Sequence, residues 1–234
     1  MGSCGFSSVS WFENDGSESF VQHDIYSTDG CPTSLYVIDL DEDGDKDIIS
    51  SSSVENVISF HENDGSETFI TQNISTSVNS PQSVYAIDVD GDNDIDVLSA
   101  SIMDNTIAWY ENDGSESFTK HDITTSVSQA SSVYAIDLDE DGDMDVLGSI
   151  FGDDTIAWYE NNGSESFTEH DITTSADGAE MVYVLDLDQD GDNDVLGASS
   201  NDDTIAWYEN DGSESFTEHV ITISAGYPLA IHAR

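Results

Sequence analysis

An aspartate-rich loop of the form D-x-D-x-D-x-D-x-D is written four times at an interval of 49 residues, starting at Asp39, Asp88, Asp137 and Asp186. A constant period of that length marks a stacked or circular array, in which each unit buries its faces only against its neighbours. Alternating carboxylates at this density mark a site for a hard cation with oxygen ligands, because without one they would repel each other.

The residues between the loops carry a strand pattern. In the third copy 133–136 read as a strand entering the loop, 146–149 as a strand leaving it, 155–160 as a third and 166–172 as its return. Tight hairpins are signalled at Asp15-Gly16, Asp64-Gly65, Asp113-Gly114, Asn162-Gly163 and Asp211-Gly212, residue pairs that tolerate positive φ. Helical periodicity is absent. Four antiparallel strands per repeat suggest blades around a common axis, since one blade cannot bury both of its faces.

The hairpin motif occurs five times, at Trp11, Phe60, Trp109, Trp158 and Trp207, whereas the acidic loop occurs four times. The expected fold is therefore all-β, a five-bladed β-propeller of four-stranded antiparallel blades, a single domain over 1–234. One blade is expected to be closed by N- and C-terminal strands, with 227–234 as its innermost strand and 5–25 as the others. An incomplete ring that completes itself by oligomerising or strand exchange is the alternative.

Charge narrows the partners. With 50 acidic residues against 3 Lys+Arg the formal net charge is −47. Nucleic acid and anionic lipid are excluded, because binding either needs Lys and Arg to neutralise phosphate. Metal cations are favoured instead. Such a charge also marks disordered acidic chains, but here it sits in loops between regular apolar runs such as Thr-Ile-Ala-Trp-Tyr. No apolar stretch is long enough for a membrane-spanning helix, so no membrane insertion is expected. Cys4 and Cys31 allow one bridge.

Calcium takes six to eight oxygens, and a tight loop can aim alternate side chains at one centre. In the loop at 39–47, Asp39, Asp41, Asp43 and Asp47 are assigned as carboxylate ligands from positions 1, 3, 5 and 9, and Asp45 as a main-chain carbonyl ligand from position 7. The loop at 88–96 repeats this with Asp88, Asp90, Asp92, Asp94 and Asp96. The loops at 137–145 and 186–194 do so with Asp137, Asp139, Asp141, Asp143, Asp145 and with Asp186, Asp188, Asp190, Asp192, Asp194. Gly44, Gly142 and Gly191 stand at position 6, where a left-handed turn is needed; Asn93 replaces them in the second loop, as the next most tolerant residue. An EF-hand would place Glu at position 12, where Ser50, Ser99, Gly148 and Gly197 stand instead, and would be flanked by helices. About four Ca2+ per chain are expected.

These loops between strands, in repeats that end Trp-Tyr-Glu-Asn-Asp-Gly, resemble the FG-GAP/VCBS repeats of integrin α-subunit propellers and of secreted microbial and algal proteins. The resemblance spans nearly the whole chain. It implies a β-propeller with calcium between the first two strands of each blade, and adhesion or carbohydrate binding as common roles. Most such propellers have seven blades, and the Phe-Gly and Gly-Ala-Pro signatures of the integrin form are missing here.

No catalytic constellation is legible. His23, His121, His170 and His219 occupy one repeat position, with Gln72 in the remaining copy, so they belong to separate blades rather than one site. The repeated tryptophans are expected to pack between blades. The expectation is a calcium-binding, acidic, non-catalytic binding or adhesion scaffold, extracellular or at the cell surface, and monomeric, with carbohydrate or an extracellular protein as partner. Its candidate ligand surface is the face away from the loops, at Asp104-Asn105, Asp153-Asp154 and Asp202-Asp203. Alternatives are a multivalent lectin, a polyanion that buffers calcium or meets a mineral, and a lyase-type enzyme, which near-identical blades argue against.

Overall fold

The hairpin and loop signals fold into antiparallel sheets in a computed structural model that describes residues 7–28 and 30–233. β1 (Ser7–Asn14) and β2 (Phe20–Thr28) form a two-stranded hairpin. Four four-stranded blades follow: β3 (Pro32–Ile38), β4 (Asp47–Ser52), β5 (Val57–Asn63) and β6 (Phe69–Ser75); β7 (Pro81–Ile87), β8 (Asp96–Ser101), β9 (Thr106–Asn112) and β10 (Phe118–Thr124). Then come β11 (Ala130–Ile136), β12 (Asp145–Ile150), β13 (Thr155–Asn161) and β14 (Phe167–Thr173); β15 (Ala179–Leu185), β16 (Asp194–Ser199), β17 (Thr204–Asn210) and β18 (Phe216–Thr222). Within each blade the spatial order is the sequence order. A single 3-10 turn, Phe151–Asp153, is the one helical element among the described residues.

The blades stack face to face in a β-propeller-like arc, with β3, β7, β11 and β15 side by side. Tyr36, Tyr85, Tyr134 and Tyr183 make a ladder along this inner row, with successive ring centroids 4.8, 4.7 and 5.6 Å apart. Three apolar clusters fill the junctions between full blades. One example joins Leu147, Ile156 and Trp158 to Val182, Val195 and Tyr208 of the next blade. Second strands such as β8 and β12 are buried on both faces, so they read as continuous apolar and small residues rather than an alternation. Packing there is close enough that a Cβ on Gly148 would collide with Ile107 of the preceding blade.

Side chains also stitch the blades together. Asn56, Asn105, Asp154 and Asp203, all left-handed, accept the N–H of Ser80, Gln129, Gly178 and Tyr227 at 2.8, 3.0, 2.9 and 2.7 Å. Ser34 Oγ and Ser83 Oγ accept the edge N–H of Val84 and Val133, which no neighbouring strand could satisfy.

The C-terminal segment differs from its expected form. Residues 227–233 carry no strand, and Arg234 lies outside the described residues. The segment nonetheless takes the inner-strand place. Tyr227 is latched by Asp203, the Ile231 N–H reaches Met181 Sδ at 3.2 Å in the manner of Val84 and Val133, and the His232 ring lies 5.0 Å from Tyr183. A strand is held by ladder bonds to a partner, and no second strand of this blade stands beside it among the described residues. Of the other strands expected from 5–25, β1 and β2 are formed, while Gly5 lies outside the described residues. Cys31 is disulfide-bonded, and Cys4 likewise lies outside them.

Candidate metal centres

Each acidic loop joins the first and second strands of a full blade, and its own carboxylates fold it. At position 1, Asp39, Asp88, Asp137 and Asp186 accept on Oδ2 the N–H of position 6, from Gly44, Asn93, Gly142 and Gly191, at 3.0–3.3 Å. Position 3 and position 5 carboxylates each accept the N–H two residues on, as Asp41 does from Asp43 and Asp43 from Asp45. Asp90, Asp92, Asp139, Asp141, Asp188 and Asp190 repeat the pattern. One oxygen of each carboxylate is thereby fixed by the backbone and the other is left for a ligand, except at Asp88, whose Oδ1 also accepts the Gly91 N–H at 2.8 Å.

Position 9 is different in kind. Asp47, Asp96, Asp145 and Asp194 are fully buried. Oδ2 of each accepts the N–H of position 2 (Leu40, Val89, Leu138, Leu187), and Oδ1 accepts the N–H of the asparagine that ends the third strand (Asn63, Asn112, Asn161, Asn210), all at 2.8–3.0 Å. The carboxylate therefore ties the loop to the blade. At position 7, Asp45, Asp94, Asp143 and Asp192 reach toward the hairpin turn: a Cβ on Gly65, Gly114, Gly163 or Gly212 would stand 2.5–2.6 Å from their Oδ2. That leaves their main-chain carbonyls as what they can offer the loop centre.

Four groups of three aspartates could each hold a metal ion: Asp39, Asp41 and Asp43; Asp88, Asp90 and Asp96; Asp137, Asp139 and Asp145; Asp186, Asp188 and Asp194. Within each group the ligand oxygens lie within 4.8 Å of one another. Burial raises the Asp96 carboxyl to about 7 and the Asp145 carboxyl to about 6, and pushes Asp47, Asp90 and Asp139 upward as well. Desolvation beside like charges favours a proton, or a cation in its place. The donor set fits calcium: Asp39 Oδ1 and Asp137 Oδ1 are buried without any hydrogen-bond partner, an expensive state for a carboxylate oxygen that a cation would relieve.

Sequence reasoning found the left-handed residue at position 6, where Asn93 has φ 79. It missed a second one at position 4, where Glu42, Gly91, Glu140 and Gln189 have φ between 59 and 78. The signal was present: the second loop moves its glycine from position 6 to position 4 and puts Asn at 6.

Elsewhere the candidates separate. Trp109 and Trp158 are buried between blades. His23, His121, His170 and His219 stack on Trp11, Trp109, Trp158 and Trp207 at 4.4–4.7 Å and pair with Glu13, Glu111, Glu160 and Glu209 at 2.5–3.2 Å, one set in the β1–β2 hairpin and one in each of the last three blades. On the opposite surface Asn105, Asp154 and Asp203 accept backbone N–H groups of the next inner segment and so join blades, while Asp104 and Asp153 accept those of Asn79 and Ser128, just ahead of the first strand of their own blade.

A family model of the FG-GAP-like repeat matches residues 39–99, 88–148, 147–197 and 186–233, each of the first two running from one acidic loop through the next. The chain belongs to the FG-GAP-like repeat family. No curated protein sequence matches it. Among solved structures these FG-GAP-like repeats are similar to an Agrocybe aegerita lectin described as recognising non-reducing terminal N-acetylglucosamine, at 17% identity and TM-score 0.62 over 94% of this chain. The repeats span 62% of that lectin chain. A chain of the nidogen/laminin complex gives 8% identity and TM-score 0.63, covering 95% of this chain and 78% of that one. The V. cholerae biofilm matrix protein Bap1 gives 22% and 0.51, covering 86% and 29%. At these identities the likeness is one of fold. No helix among the described residues is long and apolar enough to cross a membrane.

Proposed function

We propose that these FG-GAP-like repeats form a calcium-stapled, non-catalytic binding scaffold, a single β-propeller domain that works outside the cell or at its surface. The observation that carries the reading is the buried, unpartnered Oδ1 of Asp39 and Asp137, whose Oδ2 atoms already hold the N–H of Gly44 and Gly142. In this reading each loop gives carboxylates from positions 1, 3, 5 and 9 and the carbonyl of position 7 to one Ca2+. A fifth blade shared between 227–233 and the β1–β2 hairpin is supported by the His232 rung of the aromatic ladder and by the Asp203 latch. Partners are glycans or extracellular proteins, as N-acetylglucosamine is for the similar lectin and laminin for nidogen.

A multivalent lectin is the second reading. It is favoured by a cleft of about 570 Å³ between Trp158, Glu160, His170, Asp171 and Phe216, which recurs at about 320 Å³ between Trp11, His23, Asp24 and Phe69. Glycan-array binding with several sites per chain separates the two.

Titration calorimetry tests the calcium assignment, with about four sites expected per chain. At affinities near 10⁻⁴ to 10⁻³ M and calcium about ten- to a hundredfold above Kd, each site adds roughly 1.4 to 2.7 kcal/mol. EDTA should therefore lower the melting temperature sharply, and an unchanged melt would sink the assignment.

A further inference from the structure

The position-9 aspartate joins the ligand group in three of the acidic loops but not in the first. In the loops at 88–96, 137–145 and 186–194 the grouped oxygens come from positions 1, 3 and 9, and the last of these is buried. In the loop at 39–47 they come from positions 1, 3 and 5, and the position-5 residue, Asp43, is exposed. Asp47 is as buried as its siblings and accepts the same two backbone N–H groups. Neither burial nor the tie to the blade therefore accounts for its place outside the group.

The neighbouring strand separates the two cases. Trp109, Trp158 and Trp207 of the third strands stand opposite Leu98, Leu147 and Leu196, two residues on from the position-9 aspartate, whereas the first full blade has Phe60 opposite Ile49. Residues two apart on a strand share a face, so the aromatic ring lies on the side of the sheet to which the carboxylate points. The indole N–H of all three tryptophans is buried without a hydrogen-bond partner. An unpaired buried N–H is costly, and it is the one polar group an indole has. Burial raises the Asp96 and Asp145 carboxyls, and the N–H of Trp109 and of Trp158 opposes that rise, which puts each indole beside its carboxylate though short of bonding contact. Phe60 has a ring in this place and no N–H.

Outer-shell donors orient a metal ligand by holding the part of it that the ion does not use. Resting on the calcium reading of the loops, we infer that the indole N–H of Trp109, Trp158 and Trp207 is the positioning donor that turns the position-9 carboxylate toward the ion, and that the first loop, lacking it, is the weakest of four sites. The tryptophans are positioning residues, not ligands. The loops are alike in sequence, yet the sites fall into two classes. Three are closed by a buried carboxylate that an indole steers, and one completes its set with the exposed Asp43. As calcium falls, the first loop empties while the other three stay filled.

Calorimetric titration of the full chain with Ca2+ tests this. Three sites of like affinity and one weaker by about tenfold or more are expected. Asp43→Asn, which keeps an oxygen for the Asp45 N–H, should abolish the weak class and leave the three. Trp158→Phe, the residue that the first full blade carries, should move the third loop from the tight class to the weak one. The W158F melt in EDTA reads the packing lost with the indole, and a purely structural role would lower that melt while leaving the affinities as they were. Nitrogen-15 NMR of the wild type needs no variant: the Nε1–H signals of Trp109, Trp158 and Trp207 should move downfield as the tight sites fill, as each N–H gains its acceptor. Four equivalent calcium sites, loss of a tight site in D43N, an unchanged three-to-one division in W158F, or indole signals that stay in place overturn the inference and leave the calcium reading standing. Absence of calcium binding by the wild type overturns both.

Discussion

His61 occupies the strand position that is Tyr110, Tyr159 and Tyr208 in the later blades. It is fully buried, hydrogen-bonded to Ser50 Oγ and Thr71 Oγ1 at 2.8 Å each, with Tyr26 of β2 5.4 Å from its ring. Burial lowers its pKa from the ordinary 6.5 to about 4. An unfolded histidine therefore takes its proton before the folded one does. The contribution of His61 is intact above pH 6.5 and is lost as the pH falls toward 4, by about 3 kcal/mol. His61→Tyr, the sibling residue, should remove that slope; urea stabilities of both proteins at pH 7 and pH 4 measure it as a difference, free of the carboxylates they share. A second test at this scale uses glycine. Gly163 and Gly16 have similar left-handed φ, +70 and +76, but a Cβ meets Asp143 only at Gly163 and nothing at Gly16. Gly163→Ala and Gly16→Ala should share a backbone cost of about 1 kcal/mol. Only G163A should also weaken calcium binding, read by calorimetry.

Within one loop the nine positions divide into those that build the element and those that face the ion. Asp145→Asn turns one acceptor into a donor against the N–H of Leu138 or Asn161, so it should cost about 2 to 3 kcal/mol in EDTA already, and more in calcium because a proposed ligand is lost as well. Asp139→Asn keeps an oxygen for the Asp141 N–H, so it should leave the EDTA melt unchanged or slightly raised while lowering calcium affinity. Denaturant melts with and without calcium separate the two behaviours. That division was hidden in the sequence, where Asp139 and Asp145 are the same letter. Strand places, hairpin turns and loop positions were legible because periodicity and φ tolerance leave marks in composition. The role of Asp145 depends on an N–H sixteen residues away, and the Trp158–His170 stack on strand register, neither of which a repeat pattern displays. The repeat spacing places an inner strand at 227–234, just ahead of where the next loop would begin; pairing also requires a partner, which no local pattern supplies.

For the whole molecule, charge sets the conditions of stability. Four divalent ions would cancel only a fraction of the net −47, and with 3 Lys+Arg there is little internal compensation. Self-repulsion is strongest in the calcium-free protein, so its melting temperature in EDTA should climb with added NaCl. The gain from calcium should shrink in the same series, as a calorimetric scan across ionic strength would show. The blades nonetheless share a single scheme of junctions. A latch such as Asn56 to Ser80 spans 24 residues, and an edge bond such as Ser34 to Val84 spans 50. Every junction is thus encoded within about one repeat length. A tandem duplication of one unit would deliver a blade together with the means of attaching it, without compensating mutations elsewhere. Blade number in such a lineage is then set by copy number, and a chain can lengthen or shorten its arc by recombination alone.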